Sequence, residues 1–252
     1  MTWRFIYLGE RHPYEVSSYS EAFKKARAAN LVPDTMYIFQ YGEPTVHYGT
    51  SPNTFRIKRK FCEENKIFLA RANHGSIPTY WDKASLYVFI VYRLSEEPVH
   101  SEELLRCQRG IVNALAELGL KAKIKEGWND VLLNGKKVAS IGSKLFYKGV
   151  QVSRFAIFLD FDFDTAEKAV IPKQEMRGYM TSLNAELGRE VSPQEVVDAL
   201  KVGFGSILDV AFQVEYELTE GERDLVDGLR EKYSSEKWIK TGRWSPVKEY
   251  ER

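Results

Sequence analysis

The dipeptide Asn134-Gly135 constrains this chain more than any other feature. A two-residue type I′ turn needs positive φ at both central positions, and Asn-Gly adopts it at little cost. Closing that turn pairs Leu133 with Lys136, Leu132 with Lys137, Val131 with Val138 and Asp130 with Ala139. Side chains alternate along a strand, so one face carries Asp130, Leu132, Lys137, Ala139 and Ile141. Lys137 lies opposite Leu132 and diagonal to Asp130, close enough to interact. Lys136 falls on the other face and reads as solvated.

A lysine and an aspartate among aliphatic residues admit two readings. Exposed, they are a cross-strand pair of little energetic weight. In a partly dry site, the ammonium could neutralise a substrate carboxylate or phosphate as a point charge. The aspartate could then hold a magnesium ion, which favours one or two carboxylates with phosphate oxygens.

The 252 residues are enough to bury a sizeable core, as one large domain or two small ones. At 44% hydrophobic and 28% charged, the composition is that of a folded globular chain. A net charge of +1 gives no general attraction to nucleic acid or to an anionic membrane. No run of about 18 apolar residues is present, and Met1-Thr-Trp-Arg-Phe-Ile lacks the pattern of a secretion signal. Cytoplasm is the expected location, with neither nucleic acid nor membrane as partner. Cys62 and Cys107 sit in helical patterns without metal-ligand spacing, so neither zinc nor a disulfide is expected.

Apolar periodicity and capping signals give the elements. Strands are expected at about 3–8, 36–40, 45–48, 67–71, 86–93, 152–163 and 207–218. Helices are expected over 18–30, with Ser20 as cap, and over 53–65, 101–118, 192–204 and 220–233. Ser192, Pro193 and Glu195 form a helix start, as does Thr219. The strands do not follow a regular βαβ rhythm, and the hairpin pairs antiparallel. The expectation is an α+β domain on a mixed, largely antiparallel sheet flanked by helices, with 1–252 as a single domain and no C-terminal accessory domain.

The segment Gly127-Trp-Asn-Asp-Val-Leu-Leu-Asn-Gly-Lys-Lys-Val-Ala-Ser resembles the Gly-x-Asn-Asp…Gly-(Lys/Arg)-Lys-(Ile/Val) segment of lipoate–protein ligases. Its continuation Lys137-Val-Ala-Ser-Ile-Gly142 is similar to the related octanoyltransferases. The likeness extends through Tyr37–Gly49, Cys62–Ile67, Ile171-Pro-Lys, Thr181–Gly188 and Glu231–Trp238, and so implies the biotin/lipoate ligase catalytic fold. The second site segment, Arg71-Ala-Asn-His-Gly-Ser-Ile-Pro-Thr-Tyr-Trp-Asp82, matches Arg-Arg-x-Ser-Gly-Gly-Gly-Ala-Val-Tyr-His-Asp at Arg71, Gly75, Tyr80 and Asp82. It departs at Ala72, where the second arginine stands, and at His74, Ser76, Ile77 and Trp81. Ser153-Arg154 replaces the usual His-Gly.

The resemblance implies ATP-dependent activation of lipoate or octanoate to an acyl-adenylate and transfer to a lysine of a lipoyl carrier domain, an H protein or E2-type subunit. It gives Lys137 the acyl carbonyl, and Asn129 and Asp130 the nucleotide and its magnesium ion. Arg71, His74, Gly75, Ser76 and Tyr80 are implied to line the acyl and adenylate pocket, and a separate small accessory subunit is a possible partner. Octanoyltransferases pass the acyl chain through a thioester, and neither position where they place the cysteine holds one here. Two alternatives stay open: a non-adenylating paralogue that binds an acyl ligand or carrier, and an octanoyl or lipoyl transferase acting without ATP.

Overall fold

The computed structural model describes residues 1–50, 53–74, 77–142, 145–172 and 174–244. The strands are β1 (Thr2–Arg11), β2 (Thr35–Tyr41), β3 (Thr45–Tyr48), β4 (Phe68–Arg71), β5 (Thr79–Trp81), β6 (Ser85–Arg93), β7 (Lys123–Ile124), β8 (Asp130–Leu133), β9 (Lys136–Ile141), β10 (Leu145–Tyr147), β11 (Val150–Phe158) and β12 (Ala211–Glu215). The helices are α1 (Pro13–Ala28), α2 (Arg59–Glu64), α3 (His100–Glu117), α4 (Phe163–Ala169), α5 (Met176–Tyr179), α6 (Leu183–Leu187), α7 (Pro193–Leu208), α8 (Glu220–Ser234) and α9 (Glu236–Thr241).

The large sheet runs β12-β1-β2-β6-β11-β9-β8-β7, with β10 beside β11. β1 is parallel to β12 and β2, and the pairs from β2 to β7 are antiparallel. A smaller sheet, β4-β3-β5, packs apart from it. This is the expected α+β architecture on a mixed, largely antiparallel sheet.

Alternation along the central strands sends side chains to two cores. Phe155 and Ile157 of β11 pack with Ile111 and Leu115 of α3 and Leu200 and Phe204 of α7. Ala156 and Phe158 face the other way, with Tyr19 and Phe23 of α1 and Val226 of α8. Burying each such large apolar side chain stabilises the fold by roughly 1.5–3 kcal/mol. α8 is tied down by its capping box, in which the fully buried Glu222 accepts from the Thr219 amide at 2.8 Å. The other carboxylate oxygen of Glu222 takes Arg4 of β1 and, at 2.5 Å, the Tyr37 hydroxyl of β2.

Several element limits differ from the sequence reading. α1 starts at Pro13 under a His12 cap, not near Ser18. Ser17 and Ser18 turn their hydroxyls back to the carbonyls of Pro13 and Glu15, which lets them sit inside the helix. The helix expected over 53–65 is split into a 3₁₀ turn, Asn53–Arg56, and α2, because Ile57 bridges Val170 and the Lys58 amide bonds the Ala169 carbonyl at 2.9 Å. β11 ends at Phe158, and Asp162 caps α4 instead of extending the strand. The expected strand 207–218 is only Ala211–Glu215, since α7 runs to Leu208 and Asp209 turns left-handed at φ 53°.

The hairpin forms with Asn134 and Gly135 at φ 48° and 82°. Leu133 pairs with Lys136 and Leu132 with Lys137, as the turn requires. The register then shifts by one: Val131 pairs with Ala139 and Asp130 with Ser140. An extra residue at Val138 has the effect of a β-bulge. It corrects the expected face, because Val138, Ala139 and Ile141 join the α3–α7 core while Ser140 turns to the side of Asp130 and Lys137.

Candidate active site

The face of β8 and β9 that carries Asp130 and Lys137 forms one wall of a cavity of about 760 Å³. Its other walls come from α1, the smaller sheet, β6, β11 and residues among 170–172 and 174–180. The size falls within the range that encloses small organic ligands. A separate cleft of about 260 Å³ beside α7 and β12 shares no lining residue with it.

Lys137 Nζ lies 3.0 Å from Asp130 Oδ1, with the carboxylate almost fully buried. The loop before β8 is pinned from behind by α3. Gln108 Nε2 donates to the carbonyls of Trp128 at 2.9 Å and Asp130 at 3.3 Å. On the open side, the Thr181 amide bonds the Lys137 carbonyl at 2.8 Å, which brings α5 over the pair. Tyr179 at the end of α5 donates its hydroxyl to Asp130 Oδ2. Burial, and then the Asp130 carboxylate, push the Tyr179 phenol above its ordinary pKa. Lys125 Nζ sits over the rings of Trp128 at 4.2 Å and Tyr179 at 4.9 Å, adding a second cation at the mouth.

Across the cavity, Arg154 of β11 contacts the ring of His74. His47 of β3 stands with its ring 6.0 Å from that of His74 and 6.1 Å from Tyr41. Burial, and then the Arg154 charge, hold His47 down to about 3, so its imidazole is neutral. Burial also pulls Arg154 down to about 10, against the opposing effect of the Tyr87 and Tyr41 hydroxyls. At that value the guanidinium is still charged at neutral pH.

Of the residues singled out in the sequence, Lys137, Asp130, Asn129, His74 and Tyr80 line this cavity. Asn129 is exposed at the mouth, and its carbonyl accepts from the Ile141 amide at 2.8 Å. Tyr80 is buried on β5, and burial followed by Asp82 raises its phenol. Arg71 is placed differently: its neighbour Ala72 lines the cavity, while the Arg71 guanidinium lies 4.9 Å over the Tyr48 ring and against Gly242 after α9. Gly75 and Ser76 lie outside the described residues. Arg154 had one signal in the sequence, a lone charge within an apolar strand. Tyr179 had none, because its place depends on a four-residue helix folding over the hairpin.

Both cysteines of the chain stand away from the cavity lining. Cys62 is buried with its sulfur 3.8 Å from the Ala169 carbonyl, and Cys107 is buried with its sulfur 3.8 Å from Glu103. Burial and then Glu103 push the Cys107 thiol far up, which makes it a poor nucleophile. Among the described residues no three His, Cys, Asp or Glu side chains cluster to hold a metal.

The fold is that of solved lipoate ligases. It superposes on the bi-partite lipoate protein ligase of Thermoplasma acidophilum with a TM-score of 0.84 at 23% identity, over 98% of this chain and 100% of that one. The family model for the lipoyl protein ligase A/B catalytic domain matches residues 12–205, and the chain belongs to that family of lipoate- and octanoyl-attaching enzymes. Among curated proteins it is 25% identical over 272 residues to the octanoyltransferase LipM of Halalkalibacterium halodurans, covering 94% of this chain and 98% of that protein. It is 25% identical over 227 residues to lipoate–protein ligase 2 of Staphylococcus aureus, covering 84% of this chain and 65% of the ligase.

Proposed function

We propose that this chain is a lipoate–protein ligase-like enzyme. It activates lipoate or octanoate with ATP as the acyl-adenylate, releases pyrophosphate, and passes the acyl group to a lysine of a lipoyl carrier domain of the H-protein or E2 type. The observation that carries this reading is the Lys137–Asp130 pair, 3.0 Å apart in the wall of a ligand-sized cavity that neither thiol reaches. A lysine ammonium aimed at the acyl group holds the carboxylate that attacks the ATP α-phosphate during adenylation, and then stabilises the oxyanion that develops on the acyl carbonyl as the acceptor amine attacks. Contacts of that kind are worth about 3 kcal/mol in the transition state.

Asp130 is the residue that would hold magnesium beside the phosphates. A single carboxylate suits that ion, which takes one or two carboxylates and completes its shell with phosphate oxygens and water. Both Asp130 oxygens are engaged by Lys137 and Tyr179, so holding the ion means displacing one of them. Magnesium would supply charge neutralisation on the phosphates. Asn129 at the mouth, with His74 and Tyr80 within, completes the proposed nucleotide and acyl contacts, and Arg71, Gly75 and Ser76 remain proposed from the motif alone.

One observation favours a second reading, ATP-independent transfer from an octanoylated carrier: the similarity to LipM runs over nearly the whole of both chains. With Cys62 and Cys107 outside the cavity, such transfer would proceed by direct attack of the acceptor lysine rather than through a thioester on this chain. An accessory subunit is proposed by analogy with the bi-partite ligase of Thermoplasma acidophilum. No helix among the described residues is long and apolar enough to cross a membrane.

Carrier mass spectrometry separates the readings. The ligase reading expects an unmodified lipoyl domain to gain an acyl group from free acid plus ATP, and not from octanoylated carrier without ATP. The reverse pattern establishes the transferase. No gain under either condition, with candidate accessory subunits present, leaves a non-adenylating binding protein.

A further inference from the structure

The cavity has a second polar end that the chemistry at Lys137 does not use. Arg154 lies opposite Gly142, whose amide bonds the Arg154 carbonyl at 2.7 Å, and Gly142 is five residues beyond Lys137 along the β9 segment. At about 3.3 Å per residue, and allowing for the bulge, the two backbones stand on the order of 13 Å apart. Arg154 is on the same face of β11 as Ala156 and lines the cavity together with Tyr41, His47 and His74. Each of these four side chains is at least nine-tenths buried.

The chemistry of these groups suits an anion. The Tyr41 hydroxyl is fully buried and has no hydrogen-bond partner among the described residues, and the Ser20 hydroxyl, also in the lining, has none either. A buried hydroxyl left without a partner is costly, a penalty that a ligand oxygen accepting from it would relieve. A guanidinium is suited to a planar or tetrahedral oxyanion, which it can bind through two parallel hydrogen bonds.

The structure assigns to Arg154, with the Tyr41 hydroxyl and His74, a subsite for a substrate oxyanion at the end of the cavity remote from Lys137. The assignment builds on the proposed placement of the acyl carbonyl at Lys137. From there an extended acyl chain of about eight carbons runs toward Arg154, and the oxyanion that fits best is a second carboxylate at the far end of the acyl acid. A nucleotide phosphate has the same chemistry and is the other source.

Direct binding to the full chain tests this whether or not an adenylate forms. Octanoate, octanedioate and inorganic pyrophosphate are titrated against the wild type, Arg154→Gln, Arg154→Lys and Tyr41→Phe. A far-end carboxylate makes octanedioate bind on the order of tenfold tighter than octanoate, with the advantage lost in Arg154→Gln and reduced in Tyr41→Phe. A phosphate source instead gives equal binding of the two acids and pyrophosphate weakened on the order of tenfold in Arg154→Gln. Either result supports the subsite. Folded Arg154→Gln and Tyr41→Phe proteins that bind all three probes as the wild type does overturn it. Should Arg154→Gln not fold, Arg154→Lys, which keeps the charge without the fork, and Tyr41→Phe decide alone. A chain that binds octanedioate through Arg154 but never adenylates an acid keeps this assignment and loses the ligase reading.

Discussion

Lys137 Nζ and Asp130 Oδ1 stand 3.0 Å apart across the β8–β9 hairpin, while the Tyr179 hydroxyl holds the other oxygen of the same carboxylate. The pair is mostly shielded from water, with side-chain exposures of 17% and 7%. Removing the lysine leaves a buried carboxylate with one neutral donor. Lys137→Met is therefore expected to lower the unfolding free energy by about 2–3 kcal/mol, and Asp130→Asn added to it recovers part of the loss. Denaturant unfolding of the double-mutant cycle measures this. A coupling near zero would mean that the contact is incidental.

Glu21 of α1 links three elements. It accepts from Lys25 and Lys232 at 2.7 Å, from Tyr233 at 2.9 Å and from Asn73, next to His74, at 3.1 Å. Burial pushes its carboxyl up, but the lysine and tyrosine donors outweigh that and bring it down to about 2. A depressed carboxyl stabilises the fold above its unfolded value, 4.5, and that contribution is lost as pH falls from 4.5 toward 2. Lys25 is partly exposed, so solvent screening reduces the contribution to about 1–2 kcal/mol. Stability measured against pH should show a shallower acid limb in Glu21→Gln. An unchanged limb would place the acid sensitivity elsewhere.

The helices behind the hairpin cross at glycine. A Cβ on Gly203 of α7 would stand 2.5 Å from the Ala114 amide nitrogen and 2.8 Å from the Gly110 carbonyl of α3. Gly203→Ala should cost about 1–3 kcal/mol or more, since backbone must move. In α8 a Cβ on Gly228 meets nothing within 4 Å, so Gly228→Ala should stabilise by about 0.5–1 kcal/mol. Thermal unfolding of the two variants should shift in opposite directions.

Much of this was legible in the residues. Asn134-Gly135 gave the turn, the first two strand pairs and the meeting of Lys137 with Asp130. The bulge at Val138 was not legible, because alternation of polar and apolar residues does not reveal an unpaired residue when Val138, Ala139 and Ile141 are all apolar. Helix caps were read well where a side chain commits to the backbone, as at Ser192 and Thr219. The start of α1 was misread at Ser20, because Ser17 and Ser18 before it bond back to earlier carbonyls and so lie inside a helix that His12 caps. Arg71 faces Tyr48 because β4 pairs in parallel with β3, Tyr48 opposite Arg71. Only that long-range register decides which of Arg71 and Ala72 meets the cavity.

The two thiols provide a further check on mechanism. Cys62 and Cys107 are buried and outside the cavity lining, so thiol reagents should leave the activity of the native protein intact. Both cysteines should react fully after denaturation. Replacing both with serine should leave acyl transfer within about twofold, given the wide margin between packing changes and loss of a nucleophile. A stable acyl-enzyme adduct on either cysteine, found by intact mass, would contradict this.

The central claim is that Lys137 serves an acyl-adenylate. Exchange of labelled pyrophosphate into ATP reads that step alone, without any carrier protein. The account predicts exchange that depends on the acyl acid and on magnesium, and that falls about 100-fold or more in Lys137→Ala while the circular dichroism stays that of the folded chain. Acid-dependent exchange that survives in folded Lys137→Ala, or its absence in the wild type with lipoate, octanoate and octanedioate each supplied alongside a candidate accessory subunit, would contradict it.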